Sequence, residues 1–96
     1  MNIINFLNKT LHLYELESTD DAFVEKDTDS NIYRVYLPKD CSLHIIAHEA
    51  WHIFLDILST YDNGTLSCLE MTRDIYAYSF DLLYRILYNF SKGKLE

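Results

Sequence analysis

An HExxH pentad at residues 48–52 constrains the fold of this chain more than any other feature of its sequence. The pentad lies inside an apolar run, so it belongs on a half-buried helix, where residues four apart share one face with roughly 6 Å between their Cβ atoms. The imidazoles of His48 and His52 can therefore reach one ion. Glu49 points to the side of that pair, where it can hold a water molecule instead of the metal. This layout predicts a zinc site with Glu49 as general base.

The third ligand of such a site is less evident from the sequence. Catalytic zinc usually takes three protein ligands and leaves the fourth position to water. The chain lacks the extended form of the motif, which has a third histidine six residues after the second, because residue 58 is a leucine. We favour Asp74 as the third ligand, with Glu70, one turn earlier, as the alternative. His44, one turn before His48, is a further candidate, and as a fourth ligand it would make the zinc structural.

Apolar periodicity and turn signals predict an α+β fold. It consists of a β-hairpin, two long packed helices that carry the pentad and the third ligand, and a short N-terminal helix. The predicted elements are a helix over 2–17, strands over 22–26 and 31–37, and helices over 43–59 and 67–89. We expect a single domain over residues 1–91, followed by a frayed tail over 92–96.

Charge and composition restrict the partners and the compartment. The chain has 15 acidic and 8 basic residues and a net charge of −7, whereas nucleic acid requires a basic face. No apolar run reaches the roughly 20 residues of a membrane-spanning helix, and the N-terminus lacks the pattern of a secretory signal. The two cysteines, Cys41 and Cys68, do not indicate a disulfide scaffold. We therefore expect a cytoplasmic protein with no nucleic-acid or membrane partner.

The order of these segments resembles a known family. A predicted β-hairpin precedes Ala47-His48-Glu49-Ala50-Trp51-His52, and Asp74-Ile75-Tyr76-Ala77-Tyr78 follows after about twenty residues. This order resembles that of the small HExxH-type zinc metallopeptidases encoded by bacteriophages, a gluzincin-like group. In that family a strand precedes an AHEAxH helix, and a later acidic residue lies three positions before Ala-Tyr. The resemblance covers about residues 22–87.

The resemblance implies both a ligand set and an activity. His48 and His52 would bind Zn²⁺, Glu49 would be the general base, and Asp74 would take the third-ligand position, where the family more often has Glu. The implied activity is cleavage of a peptide bond in a peptide or protein substrate, in the host-cell cytoplasm if the protein is phage-encoded. We expect the strand over 31–37 to align an extended peptide by backbone pairing.

A second class of function stays open. Small acidic phage products often bind and block a host protein, and such an effector would need the metal site only as a structural or degenerate feature. A hydrolase needs an open metal position with a free Glu49 carboxylate beside it, and an inhibitor needs neither. In a catalytic site, Asp56, one turn after His52, is a candidate acceptor for a ring N–H of a metal ligand.

Overall fold

Four strands form one mixed sheet, against which two helices pack. The computed structural model describes residues 2–28, 31–60 and 73–94, without the side chains of residues 60 and 73–76. The elements are β1 (Asn2–Phe6), β2 (Lys9–Leu16), β3 (Phe23–Lys26), β4 (Ile32–Pro38), α1 (Leu43–Thr60) and α2 (Arg73–Ser91). The strand order is β1-β2-β4-β3, so β1 and β3 are the two edges of the sheet.

Residues 2–16 form a β-hairpin rather than the predicted helix. β1 pairs antiparallel with β2, and the two strands meet at a turn in which Leu7 and Asn8 both have positive φ, 47° and 64°. This is the type I′ geometry that suits the twist of a two-residue hairpin. Along β2, Lys9, Leu11 and Leu13 are buried and the residues between them are half-buried. The burial of side chains along β2 therefore repeats every two residues, as in a strand, and not every 3.6 residues as in a helix.

The predicted architecture, a hairpin with two long helices and a short N-terminal helix, is wrong. The chain is a small α+β fold in which strands dominate and α1 lies near the centre. The apolar residues between Ile3 and Tyr14 match a helical period almost as well as a strand period. β4 decides between the two, because it pairs in parallel with β2 over seven residues and antiparallel with β3. The predicted strands 22–26 and 31–37 are thus one half of a larger sheet.

Helix α1 begins at Leu43, where the sequence predicts it. The Ser42 hydroxyl accepts a hydrogen bond from the Ile45 amide at 3.3 Å, which is the usual role of serine at a helix N-cap. One face of α1 is buried in the core through Ile46, Ala50, Ile53 and Ile57, and α2 contributes Leu83 and Leu87 to the same core. Burial of this face fixes which side of the pentad remains accessible. Within the described part of the chain, neither helix is long and apolar enough to cross a membrane.

The C-terminal end of α2 is tied to the segment between β4 and α1. The Ser91 side chain is 2% exposed. Its hydroxyl donates to the Pro38 carbonyl at 3.0 Å and accepts from the Cys41 amide at 3.1 Å, and its carbonyl accepts from the Asp40 amide at 2.9 Å. The helix ends at Ser91, and Gly93, two residues further on, has a φ of +72°, as in a C-terminal glycine cap. Ser91 thereby holds the segment between β4 and α1 against the C-terminal end of α2.

Candidate metal centre

The HExxH residues face a cleft between α1 and the edge strand β3. The cleft encloses about 410 Å³. Its lining residues from the β3 side are Ala22, Phe23, Val24 and Lys26; those from α1 are His48, Glu49, His52, Ile53 and Asp56, and β4 contributes Tyr33. Since the buried face of α1 packs on the core, the two histidines and Glu49 meet solvent through this cleft.

The rings of His48 and His52 are in direct contact, with their Nε2 atoms at hydrogen-bond distance from each other. Their Nε2 atoms are 3.0 Å apart, and their rings lie 4.4 Å apart at an angle of 80°. Two nitrogens bound to one tetrahedral zinc at about 2.05 Å would be separated by about 3.3 Å. The observed separation is within a few tenths of an ångström of that value, so the pair needs little rearrangement to hold one ion.

Glu49 is a buried carboxylate that opens into the same cleft. The residue is 8% exposed and also lines a neighbouring cavity of about 290 Å³ beside His44 and His48. Among the described residues, the structure gives Glu49 no hydrogen-bond or ion-pair partner. Two imidazole nitrogens beside an accessible cleft are ligands that zinc accepts. A carboxylate next to them can hold a water molecule, so the residues present fit zinc.

The two acidic candidates for a third ligand lie outside the side chains that the structure describes. Asp74 is the second residue of α2, but its side chain is not described, and Glu70 lies outside the described residues altogether. In the described part of the chain, no group of three or more His, Cys, Asp or Glu residues is placed to hold a metal ion. The His44 ring is exposed and its centre lies 6.5 Å from that of His48. The choice of Asp74 over Glu70 stays a prediction.

A polar cluster at one end of the cleft was not predicted. The Tyr33 hydroxyl donates to the Asp56 carboxylate at 2.5 Å, and the Lys26 ammonium pairs with the same carboxylate at 3.1 Å. Burial by itself would raise the pKa of Asp56, but the bonds from Tyr33 and Lys26 outweigh it and hold that pKa below its ordinary value. The structure thus gives Asp56 partners on two strands, whereas the sequence suggested a histidine ring.

The edge strand that borders α1 at the cleft is β3 rather than β4. β4 is paired with β2 along its whole length and with β3 over residues 33–36, so it is an interior strand of the sheet. The prediction that residues 31–37 align a peptide is therefore wrong. The free edge that borders the cleft belongs to Phe23–Lys26. Sequence reasoning found the hairpin but could not tell which of its strands is the edge.

Comparisons of this chain with protein-family models, with curated proteins and with solved structures return no match. The interpretation of the site therefore depends on its own geometry and chemistry.

Proposed function

We propose that this protein is a zinc-dependent hydrolase that cleaves a peptide bond, related to the small phage-type HExxH metallopeptidases that its sequence resembles. The observation that carries the proposal is the convergence of the His48 and His52 Nε2 atoms, 3.0 Å apart, beside the buried Glu49 carboxylate in an accessible cleft. A merely structural pair of histidines has no need of an adjacent unpaired carboxylate.

The ligands would be His48, His52 and an acidic residue, for which we propose Asp74 with Glu70 as the alternative. Zinc, when bound, supplies Lewis-acid polarisation of a carbonyl and activation of water. The Glu49 carboxylate would take a proton from the attacking water and return it to the nitrogen of the leaving amine.

The substrate would lie along β3. An extended peptide can pair with the free edge of Phe23–Lys26 by backbone hydrogen bonds, which would place it across the cleft that the histidines line. The strand has only four residues, so pairing would align a short segment of the peptide. This arrangement suits a flexible or unfolded stretch of a protein substrate better than a folded surface.

We also propose a cytoplasmic location, which would be the host-cell cytoplasm if the protein is phage-encoded. Cys41 is buried with its thiol free, which is typical of proteins in a reducing compartment.

The first experiment measures bound zinc by mass spectrometry of metals after reconstitution and removal of free ion. We expect about one zinc per chain in the wild type and in Glu49→Gln, and loss of zinc in His52→Ala. Asp74→Ala and Glu70→Ala are compared directly, and the variant that loses the metal identifies the third ligand. A wild-type protein that retains no zinc would refute the proposal.

The second experiment separates a peptidase from a metal-binding effector. Wild type and Glu49→Gln are incubated with a library of quenched fluorescent peptides, and cleavage is expected from the wild type alone. If both proteins hold zinc and neither cleaves any peptide, the proposal that the protein is a hydrolase is contradicted. The second class of function, binding and blocking of a host protein, would then be favoured.

A further inference from the structure

Three aromatic side chains form a stacked row across the sheet. Tyr14, Tyr36 and Phe23 stand at paired positions of three neighbouring strands. The ring of Tyr36 lies 4.8 Å from that of Tyr14 and 4.3 Å from that of Phe23, and both interplanar angles are 12°. Val35 and Leu37, on either side of Tyr36, are buried in the core that the helices cover, so alternation places the row on the opposite face of the sheet.

Phe23 is the last member of this row, because β3 is an edge strand. One face of its ring is covered by Tyr36, and the other face is turned past the edge of the sheet. Phe23 is 42% exposed, and among the described residues Tyr36 is the one whose ring contacts it. Phe23 also borders the cleft of the candidate metal centre. A flat apolar surface therefore ends the row at the position where a peptide would pair with β3.

The pairing of β3 with β4 determines which backbone groups of β3 are directed outward. The amide of Asp27 donates to the Ile32 carbonyl at 3.0 Å, and hydrogen-bonded pairs alternate with the other pairs along an antiparallel ladder. The odd-numbered residues of β3 therefore bond to β4, whereas the backbone groups of Val24 and Lys26 are directed to the free edge. In an antiparallel peptide bonded to these two residues, the side chain opposite Phe23 belongs to a closely spaced pair on the same face.

Two carboxylates and one guanidinium lie beside the aromatic row. Arg34 is opposite Glu25 in the ladder, and its guanidinium bonds to Glu25 at 3.2 Å and to Asp27 at 3.0 Å. The three groups together carry one surplus negative charge, and the Glu25 side chain is 48% exposed. Lys26 does not offset this charge, because it points to the other face of the sheet and is paired with Asp56. A peptide residue opposite Glu25 therefore meets negative charge, which favours lysine or arginine.

We propose that Phe23 and Glu25 select the substrate, an extended basic segment with an aromatic residue opposite Phe23 and lysine or arginine opposite Glu25. This inference rests on the proposed function, in which β3 aligns the substrate. In an antiparallel peptide the basic residue comes two positions before the aromatic one. The aromatic ring stacks on the free face of Phe23 and extends the row. The net charge of −7 attracts a basic peptide over a longer range.

Binding is measured by fluorescence anisotropy with the Glu49→Gln protein after zinc reconstitution, so that the peptide is not cleaved. The probe is a fluorescein-labelled alanine-based peptide with the central sequence Lys-Ala-Phe. We expect leucine in place of its phenylalanine to weaken binding about threefold to tenfold. Alanine in place of its lysine should weaken binding about twofold to fivefold, and added salt should reduce that difference.

Each preference is assigned to one protein residue by a variant and a matched control. Phe23→Leu should abolish the preference for phenylalanine over leucine in the peptide, whereas Tyr14→Leu, at the far end of the row, should keep it. Glu25→Gln should abolish the preference for lysine over alanine. Asp81→Asn, which also removes an exposed carboxylate bonded to an arginine, should keep that preference. Circular dichroism checks that all four variants remain folded.

Cleavage of the same peptides by the wild type is measured separately. Cleavage without a preference at either peptide position would refute this inference and leave the proposed peptidase standing. Selective binding without cleavage would support the roles of Phe23 and Glu25 and contradict the peptidase. Preferences that persist in Phe23→Leu and Glu25→Gln would overturn the inference, and so would the absence of peptide binding at about 1 mM.

Discussion

Replacement of Ser91 by alanine provides a direct test of how α2 is held against the start of α1. The hydroxyl is nearly inaccessible to solvent and has two backbone partners in the segment between β4 and α1. It donates to the Pro38 carbonyl at 3.0 Å and accepts from the Cys41 amide at 3.1 Å. Ser91→Ala keeps the backbone bond between the Asp40 amide and the Ser91 carbonyl. It removes these two bonds and the contact between the hydroxyl and the Cys41 thiol at 3.2 Å.

The size of the effect follows from the two groups that lose their partner. A buried backbone group left without a hydrogen bond costs about 1–3 kcal/mol. Two such groups would lower the free energy of unfolding by about 2–6 kcal/mol, with the lower end expected because the neighbouring Lys39 and Asp40 are exposed. In a domain of this size each kcal/mol lowers the melting temperature by about 4–8 °C. We therefore expect a decrease of at least about 8 °C.

Ser59→Ala is the matched control. Its hydroxyl also bonds to a backbone carbonyl, that of Asp56 at 2.7 Å, but the residue is exposed, so water can replace the bond. We expect a change within about 0.5 kcal/mol. Urea denaturation and calorimetry on both variants provide the comparison. If Ser91→Ala is as stable as Ser59→Ala, the hydroxyl does not hold the two segments together and the reasoning is refuted.

Four further predictions concern the cluster at Asp56, the core and the first turn. Tyr33→Phe removes the hydroxyl bonded to Asp56, so the pKa of Asp56 should rise toward its ordinary value in a carboxyl NMR titration, with a loss of about 0.5–1.5 kcal/mol in urea denaturation. Because the folded-state pKa of Asp56 is lowered, its contribution to stability is present above the ordinary value of about 3.9 and is lost as the pH falls through the folded value. Asp56→Asn should therefore show a smaller decrease in the urea midpoint below pH 4. Leu11→Ala, at a fully buried position, should cost about 2–5 kcal/mol in urea denaturation, and Asn8→Gly should stabilise the positive-φ turn by up to about 1 kcal/mol in the same assay.

Each of these has an outcome that contradicts it. An unchanged pKa of Asp56 in Tyr33→Phe would mean that the hydroxyl bond is not maintained in solution. Equal acid sensitivity of Asp56→Asn and the wild type would assign the pH dependence to other carboxylates, of which Asp27, bonded to Arg34, is the first candidate. A mild effect of Leu11→Ala would show that the sheet does not pack as described, and a destabilising Asn8→Gly would argue against the type I′ turn.

Local signals in the sequence were sufficient for α1 and insufficient for the N-terminus. Ser42 and the apolar run around the pentad predicted a helix from Leu43, and the structure begins α1 at that residue. The apolar residues of β1 and β2 were interpreted as a helix because their spacing is ambiguous over so short a stretch. The parallel pairing of β2 with β4, more than twenty positions away in the chain, resolves the ambiguity, and no local pattern reports it.

The same division holds for the candidate site. The sequence by itself determined that His48 and His52 share one helical face, because a separation of four residues is set by the hydrogen bonds within the helix. Only the tertiary structure decided that Glu49 is buried beside them, that β3 is the edge bordering the cleft, and that Asp56 joins Tyr33 and Lys26. These features depend on which strands pair and which helix face packs on the core, and such contacts join residues that are distant in the chain.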